Sequence, residues 1–582
     1  MKHTEENIIH GIAAAPGLVI APAYLFYKET EEVKPESITD SQEAIQNLDA
    51  ALWQSKKELK KIFELAVDKL GERRAAIFEA QIMILDDPIL IDNIKKRIIN
   101  EKKVPEFIVY DEISKYQKIM NESLEPYMKE RSHDIEDIKN RIIRNLKKKK
   151  WQSRITNDVV VVSHTISPSD TVLFTRVNVK GYVTDLGGLT SHAAIVARSL
   201  NIPAVVGLHG QTSRIHEGDL LVVDGFHGDV VINPTEAQLN HYKNRLEVLN
   251  KYDAELLELR NKPALTTDGK EIKLMANLDI TAEIDILIQN GANGIGLLRT
   301  EQIFEEYEVF PEEEEQYQVY KSLAEKVYPE NIIIRAFDIG GDKVLPVDLH
   351  EPNPFLGWRG IRLLLDNPYL FKKQIKAVLR ASVNKNVMFM LPMISSISEI
   401  RKSKKIIEEC KLELEHEGVK YDNNIKIGIM VEIPSAAVMA NVFAQEVDFI
   451  SIGTNDLIQY LLAVDRGNEI VSKYYQEFHP SVIKTLHYII KEGKRENTFI
   501  SMCGEMAADP YAVPLLVGLG LDSLSVSPAT IPLLKKIIRN ISFKDAEELA
   551  NECLTYPTEE EVSSCLRKFF KDKLQNTLQN LF

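Results

Sequence analysis

The chain has 582 residues, 44 % hydrophobic and 27 % charged, an ordinary globular balance that divides into several structural units at roughly 100–200 residues each. Its formal net charge of −15 argues against a general nucleic-acid binder, which needs a basic face, and suits plain solubility or an acidic surface that meets a basic protein. Four cysteines, Cys410, Cys503, Cys553 and Cys565, include no CxxC pair; with no apolar run of about 20 residues and a polar stretch from Met1 to His10, the expectation is a reducing, cytoplasmic setting without a membrane span.

The pattern opens on strands and turns from Ile12 to Phe26. No glycine then occurs between Gly71 and Gly181, and apolar residues recur at helical spacing in Ala75–Leu85, Pro105–Met120 and Ile135–Leu146. Residues 33–147 therefore read as an all-helical unit, and Lys147–Lys150 as its solvated end. Short β-type runs follow at Val159–Val162, Gly181–Thr184 and Leu220–Val223, interleaved with small-residue helices. Residues 1–32 and 148–235 thus form one α/β unit with the helical unit inserted, and the polar helical pattern of 236–262 reads as a linker.

Eight apolar strand candidates come next: Leu274–Leu278, Gly294–Leu298, Ile332–Phe337, Val387–Met393, Ile427–Val431, Phe449–Ile452, Phe499–Met502 and Ser523–Val526. Helical segments separate most of them, which predicts a (β/α)8 barrel over 263–582. In that fold chemistry sits where strands end, and Arg299, Arg335, Asp338, Glu432, Asn455, Asp456 and Cys503 all stand at strand ends. Gly291–Gly296 is glycine-rich but is not GxGxxG, and it reads as the approach to the second barrel strand.

The most specific motif is Gly187-Gly188-Leu189-Thr190-Ser191-His192-Ala193-Ala194, placed between a strand and a small-residue helix. The glycines allow a tight turn, Thr190 or Ser191 can cap the helix, and the helix N-terminus favours an anion. His192 is then a nucleophile held where a phosphate is welcome.

This segment, with Ile202–Gly207 after it, resembles the phosphohistidine signature of the phosphoenolpyruvate-utilising enzymes: enzyme I of the bacterial phosphotransferase system, pyruvate phosphate dikinase and phosphoenolpyruvate synthase. The resemblance implies His192 as phosphoryl carrier and Thr171, in Pro168-Ser169-Asp170-Thr171, as the residue that orients it. Binding phosphoenolpyruvate takes several cations, and Arg299, Arg335 and Arg359 offer guanidinium forks beside Lys343. Glu432 and Asp456 make a hard oxygen pair suited to Mg²⁺. The barrel blocks resemble those of enzyme I, which implies Arg299, Arg335, Asn455 and Arg466 as substrate contacts, Lys343 and Arg359 behind them, and Glu432 and Asp456 as metal ligands. It also implies Cys503, in Ser501–Met506, as the acid that converts the enolate to pyruvate, a task a thiol can perform.

The likeness runs in enzyme I order from Gly11–Gly17 through Ile77–Ala80 and Asp134–Ile138. About 190 residues precede His192 and no Walker A lysine loop occurs, so phosphoenolpyruvate-protein phosphotransferase is favoured over an ATP-dependent dikinase or synthase. The family implies an HPr-like phosphocarrier partner docking on the helical unit at Met83, Ile84, Asp86 and Asp87, and a homodimer of barrels. By periodicity alone Met83 and Ile84 serve equally as core. Ala336, Gln302 and Gln81 depart from residues usual in the family, which touches fine geometry and partner choice but no proposed catalytic group.

Overall fold

Alternation along the strands explains the first unit. A computed structural model describes residues 7–26, 33–70, 72–122, 126–148, 155, 158–174, 177–188, 191, 194, 197–198, 202–279, 284–301, 303, 310–340, 351, 353–468 and 470–578. The side chains at 68–77, 119, 121–134, 168, 252–253 and 575–578 are excepted. Strands β1 (Ile8–His10), β2 (Ile12–Ala15), β3 (Leu18–Leu25), β4 (Val159–Ser163), β5 (Val179–Thr184), β6 (Ala204–Val206), β7 (Leu220–Asp224) and β8 (Asp229–Ile232) form one sheet, ordered β1-β8-β7-β3-β4-β5-β6-β2. Strands β3 to β6 run parallel and the others pair antiparallel. Val160 and Val162 enter one apolar cluster, while Val159 and Val161 enter another with Ala194 and Ala197, so both faces of β4 are covered.

Five helices leave the sheet after β3 and return before β4: α1 (Ser41–Leu70), α2 (Glu72–Leu85), α3 (Pro88–Glu101), α4 (Pro105–Glu122) and α5 (Pro126–Leu146). On α1 the positions 44, 48, 51, 55, 59, 62 and 66 recur every three or four residues and all are buried. Ser55 is the polar member; its hydroxyl donates to Ala51 O and accepts from Asn145 of α5. Asp87 caps α3, its carboxylate accepting from the N–H groups of Ile89 (2.8 Å) and Leu90 (3.4 Å), with Pro88 in the first turn.

The polar stretch after the sheet is helical from Glu236 to Leu259, and the chain divides into two compact units within that helix, residues 1–248 and 249–582. In the second unit β9 (Lys273–Leu278), β10 (Ile295–Leu298), β11 (Ile332–Arg335), β12 (Val387–Leu391), β13 (Lys426–Val431), β14 (Phe449–Ile452), β15 (Phe499–Met502) and β16 (Ser523–Val526) close into a parallel barrel, β16 pairing back to β9. Each of the eight strand candidates becomes one of these strands, with ends shifted by at most two residues. Alternate residues face opposite ways: Ile332 and Ile334 join the large cluster that also holds the barrel's outer helices, while Ile333, Leu297, Met388, Met390, Met430 and Phe449 form a separate small cluster with Cys503. Among the described residues no helix is long and apolar enough to cross a membrane.

Candidate active site

On four strands the period of two carries an inward-facing residue to a polar residue at the strand's C-terminal end. Leu297 is followed two residues on by Arg299, Ile333 by Arg335, Met430 by Glu432, and Ser501 by Cys503. These four polar side chains, with Arg359, Asn455, Asp456 and Arg466, line one cavity of about 240 Å³ in the barrel unit. Eight of the residues expected at the site are therefore brought together, whereas Lys343 and the variant position Gln302 lie outside the described residues.

Charge is arranged as a ladder across the cavity floor. Arg335 reaches Glu301 (2.8 Å) and Asp338 (3.6 Å). Arg359 grips Asp338 with two nitrogens (3.1 and 2.7 Å) and extends one of them to Asp456 (3.1 Å). All five are nearly buried, so each charge depends on its neighbours. Glu301 also accepts from the Asp338 N–H (2.7 Å), locking the turn after β11 onto the end of β10. Spacing alone pointed to neither Glu301 nor Asp279, which pairs with Arg299 at 3.1 Å, because their arginine partners lie 34 and 20 residues away in sequence.

Glu432 accepts from the Met393 N–H (2.6 Å), and burial close to Asp456 and Asp338 pushes its carboxyl well above the usual range. Among the described residues Asp456 Oδ1 is buried without a hydrogen-bond partner. Two crowded carboxylates, one with an unused buried oxygen, fit a hard divalent cation. Among the described residues no three His, Cys, Asp or Glu side chains gather into a metal cage. Such a cation would fill its shell with water and substrate oxygens, as Mg²⁺ does.

At the rim, Asn455 and Glu505 hold each other through Asn455 Nδ2 to Glu505 Oε1 (3.1 Å) and Glu505 N to Asn455 Oδ1 (2.8 Å). Arg466 stands 3.6 Å from the same carboxylate. A Cβ on Gly504 would lie 1.8 Å from Thr454 Oγ1, so only glycine lets the Cys503 turn approach the helix that carries Asn455 and Asp456. Cys503 is 3 % exposed; burial raises its thiol pKa, against the opposing pull of a hydrogen bond from Ser451 (3.2 Å) and the charge of Arg335.

In the first unit, His192 and Thr190 lie outside the described residues. The flanks are described: Gly187 has φ +122°, and Ser191 Oγ accepts from the Ala194 N–H (3.3 Å), the bond expected of a helix cap. The His192 that Thr171 is expected to orient is outside the described residues, whereas Thr171 itself is described. It is buried, and its hydroxyl donates to Ser167 O (3.0 Å) within its own helical turn, which uses the one proton it has to give. Asp185, which the motif reading passed over, accepts from the Gly210 and Thr212 N–H groups (2.8 and 3.1 Å) and pairs with His164 (3.3 Å). On the helical unit Met83 is 68 % exposed, Ile84 is half-buried against the core, Asp86 pairs with Lys56, and Asp87 is the α3 cap.

Three family models match the chain: PEP-utilising enzyme, N-terminal, over residues 10–131; PEP-utilising enzyme, mobile domain, over 155–228; and PEP-utilising enzyme, PEP-binding domain, over 253–543. The phosphoenolpyruvate-protein phosphotransferase of Staphylococcus carnosus is 41 % identical over 568 residues, covering 97 % of this chain and 99 % of that protein. That of Geobacillus stearothermophilus is 41 % identical over 570 residues, covering 97 % and 98 %. A solution structure of an Enzyme I protein (nEIt) is 39 % identical and covers 42 % of this chain and 99 % of its own, with a TM-score of 0.37.

Proposed function

The chain belongs to the phosphoenolpyruvate-utilising enzymes, and from that premise we propose how its residues carry out its reaction, phosphoryl transfer from phosphoenolpyruvate to protein. The observation that carries the reading is the barrel mouth, where four arginines, two crowded carboxylates and a buried thiol share one cavity. A small anion with a carboxylate and a phosphate, near three negative charges in all, needs that excess of guanidinium forks. Arg299, Arg335, Arg466 and Asn455 take the substrate's oxygens, and Lys343 stands behind them. Arg359, already divided between Asp338 and Asp456, acts mainly by holding those carboxylates in place. Glu432 and Asp456 would hold Mg²⁺, which would supply positive charge to offset that of the transferred phosphate.

The His192 imidazole attacks phosphorus; a P–N bond forms, the P–O bond to the enol breaks, and the enolate remains. Cys503 gives its thiol proton to the methylene carbon, and pyruvate leaves. The phosphoryl group then passes from His192 to a histidine of a small HPr-like carrier. Because His192 belongs to the 1–248 unit and the cavity to the 249–582 unit, the cycle requires hinge motion, for which the polar helix Glu236–Leu259 is the proposed site. Homodimerisation through the barrel unit belongs to the same reading.

The test is to incubate the chain with labelled phosphoenolpyruvate and Mg²⁺ and no nucleotide. Label is expected on the protein, and chelation of the metal is expected to prevent it. A strict requirement for ATP would overturn the reading in favour of a dikinase or synthase.

The carrier surface yields a separate expectation. Met83 is exposed beside Asp86, an apolar residue flanked by acid, which suits a transient contact with a basic partner. Asp86→Lys loses only an exposed pair with Lys56, worth at most about 1 kcal/mol. It should slow transfer to the carrier on the order of tenfold at low salt and leave phosphorylation by phosphoenolpyruvate unchanged. Asp87 is unsuitable for this experiment, because its reversal removes the cap of α3. Equal losses in both steps would show a damaged fold rather than a docking residue.

A further inference from the structure

Four strands converge on Cys503. Its backbone N–H donates to Ile452 O of β14 (3.1 Å), and its carbonyl oxygen accepts from Asn277 Nδ2 of β9 (3.0 Å). Asn277 Oδ1 in turn accepts from the Ser525 hydroxyl of β16 (2.7 Å). The side chain is held separately. Ser451 of β14 stands in register with Ser501 of β15, two residues before Cys503, and its hydroxyl donates to Cys503 Sγ across 3.2 Å.

That bond is not what packing alone would select. Sulfur is a weak acceptor, and a buried serine on a strand has backbone carbonyls within reach. Ser501 uses one, donating to Ile450 O at 3.4 Å. Ser451, wholly buried, gives its proton to sulfur instead. The Cys503 thiol in turn donates to Ile452 O across 3.7 Å, the weak bond of a poor donor, which the S–H group can give up to turn toward the cavity that Cys503 lines.

We infer that Ser451 is a positioning residue for the protonation step: its hydroxyl holds the Cys503 sulfur, leaves the S–H group to the cavity, and stabilises the thiolate formed when the proton departs. This rests on the reading of Cys503 as the acid. In that step the S–H bond breaks, a C–H bond forms at the methylene carbon of the enolate, and the electron pair stays on sulfur. Water returns a proton to the thiolate once pyruvate has left. At a site only 3 % exposed, water cannot solvate the thiolate while substrate is bound, and the Ser451 hydroxyl is the donor already in contact.

Ser451→Ala in the full chain tests this with two readouts. With phosphoenolpyruvate, Mg²⁺ and carrier, kcat for pyruvate release is expected to fall about tenfold to a hundredfold, the factor carried by a hydrogen bond to a charged group, while KM changes less than about twofold. Alkylation of the Cys503 peptide by iodoacetamide at fixed pH, followed by mass spectrometry, should slow by a comparable factor. Ser451→Thr, which keeps the hydroxyl, should restore alkylation. An Ala variant with unchanged kcat and unchanged alkylation, or one that raises KM alone, overturns the inference. Cys503→Ala separates the premise: if that variant still releases pyruvate at the parent rate, the acid role itself fails whatever Ser451 does.

Discussion

His192→Ala is expected to abolish labelling by phosphoenolpyruvate completely while leaving phosphoenolpyruvate binding at the parent level. The cavity proposed to bind the substrate is built entirely from residues of the 249–582 unit, so removing an imidazole from the other unit takes nothing from it. What is lost is the nucleophile, and no partial substitute follows from the surroundings. Thirteen histidines occur in the chain, but His164 already pairs with Asp185 and His227 with Asp224. Neither follows the paired glycines and Ser191 cap that make the approach to His192 favourable for an anion. Labelling measured by gel and binding measured by calorimetry read the two halves separately. Label retained at the parent level in the variant would refute the assignment of His192; lost binding would mean that the substitution damaged more than the acceptor.

Arg335→Ala is the second large effect, and it strikes stability and substrate together. Arg335 is nearly buried between Glu301 and Asp338, with its Nε unpartnered among the described residues, and it lines the cavity. Removing it takes this arginine from buried Glu301 and leaves Asp338 to Arg359, and breaking a buried pair typically costs about 3–5 kcal/mol. It also takes away a fork proposed to meet the phosphate or carboxylate of the substrate. The barrel unit is expected to melt at lower temperature and phosphoenolpyruvate binding to fall beyond detection. Arg335→Lys should recover part of the stability, because a charge returns, but little of the binding, because one ammonium cannot present two parallel donors. A variant with parent stability and parent binding would show that the ladder is ornamental and that the substrate lies elsewhere. Binding lost at unchanged stability would instead place the weight on Arg359, which holds Asp338 by two bonds of its own.

Much of the barrel was legible because its constraint is local. A strand covered on both faces reads as a run such as Ile332-Ile333-Ile334, and eight such runs separated by helices admit few closed arrangements. The polar residue that ends each run was legible for the same reason: a period of two, counted from an inward core residue, sends Arg299, Arg335, Glu432 and Cys503 to the same mouth. The motif around His192 was readable as a motif. The hydrogen bonds of nearby segments were not: Thr171 donates to Ser167 O within its own turn, and Asp185 accepts from the Gly210 and Thr212 N–H groups.

Asp86 and Asp87 stand side by side in the sequence, yet one pairs with Lys56 of α1 and the other caps α3. A cap depends on the φ and ψ angles where a helix begins, which composition does not state. The pairings between carboxylates and arginines were hidden for a related reason. Glu301, Asp338 and Asp279 meet their partners only after the strands close into a barrel, and Arg359 reaches Asp456 across 97 residues. The sequence by itself determined which chemical groups stand at the strand ends, since hydrophobic periodicity acts within a few residues along the chain. Tertiary structure alone decided which of those groups are paired, buried or left with an unused lone pair, because electrostatic and hydrogen-bond energies depend on distances between segments that only folding brings within 3 to 4 Å.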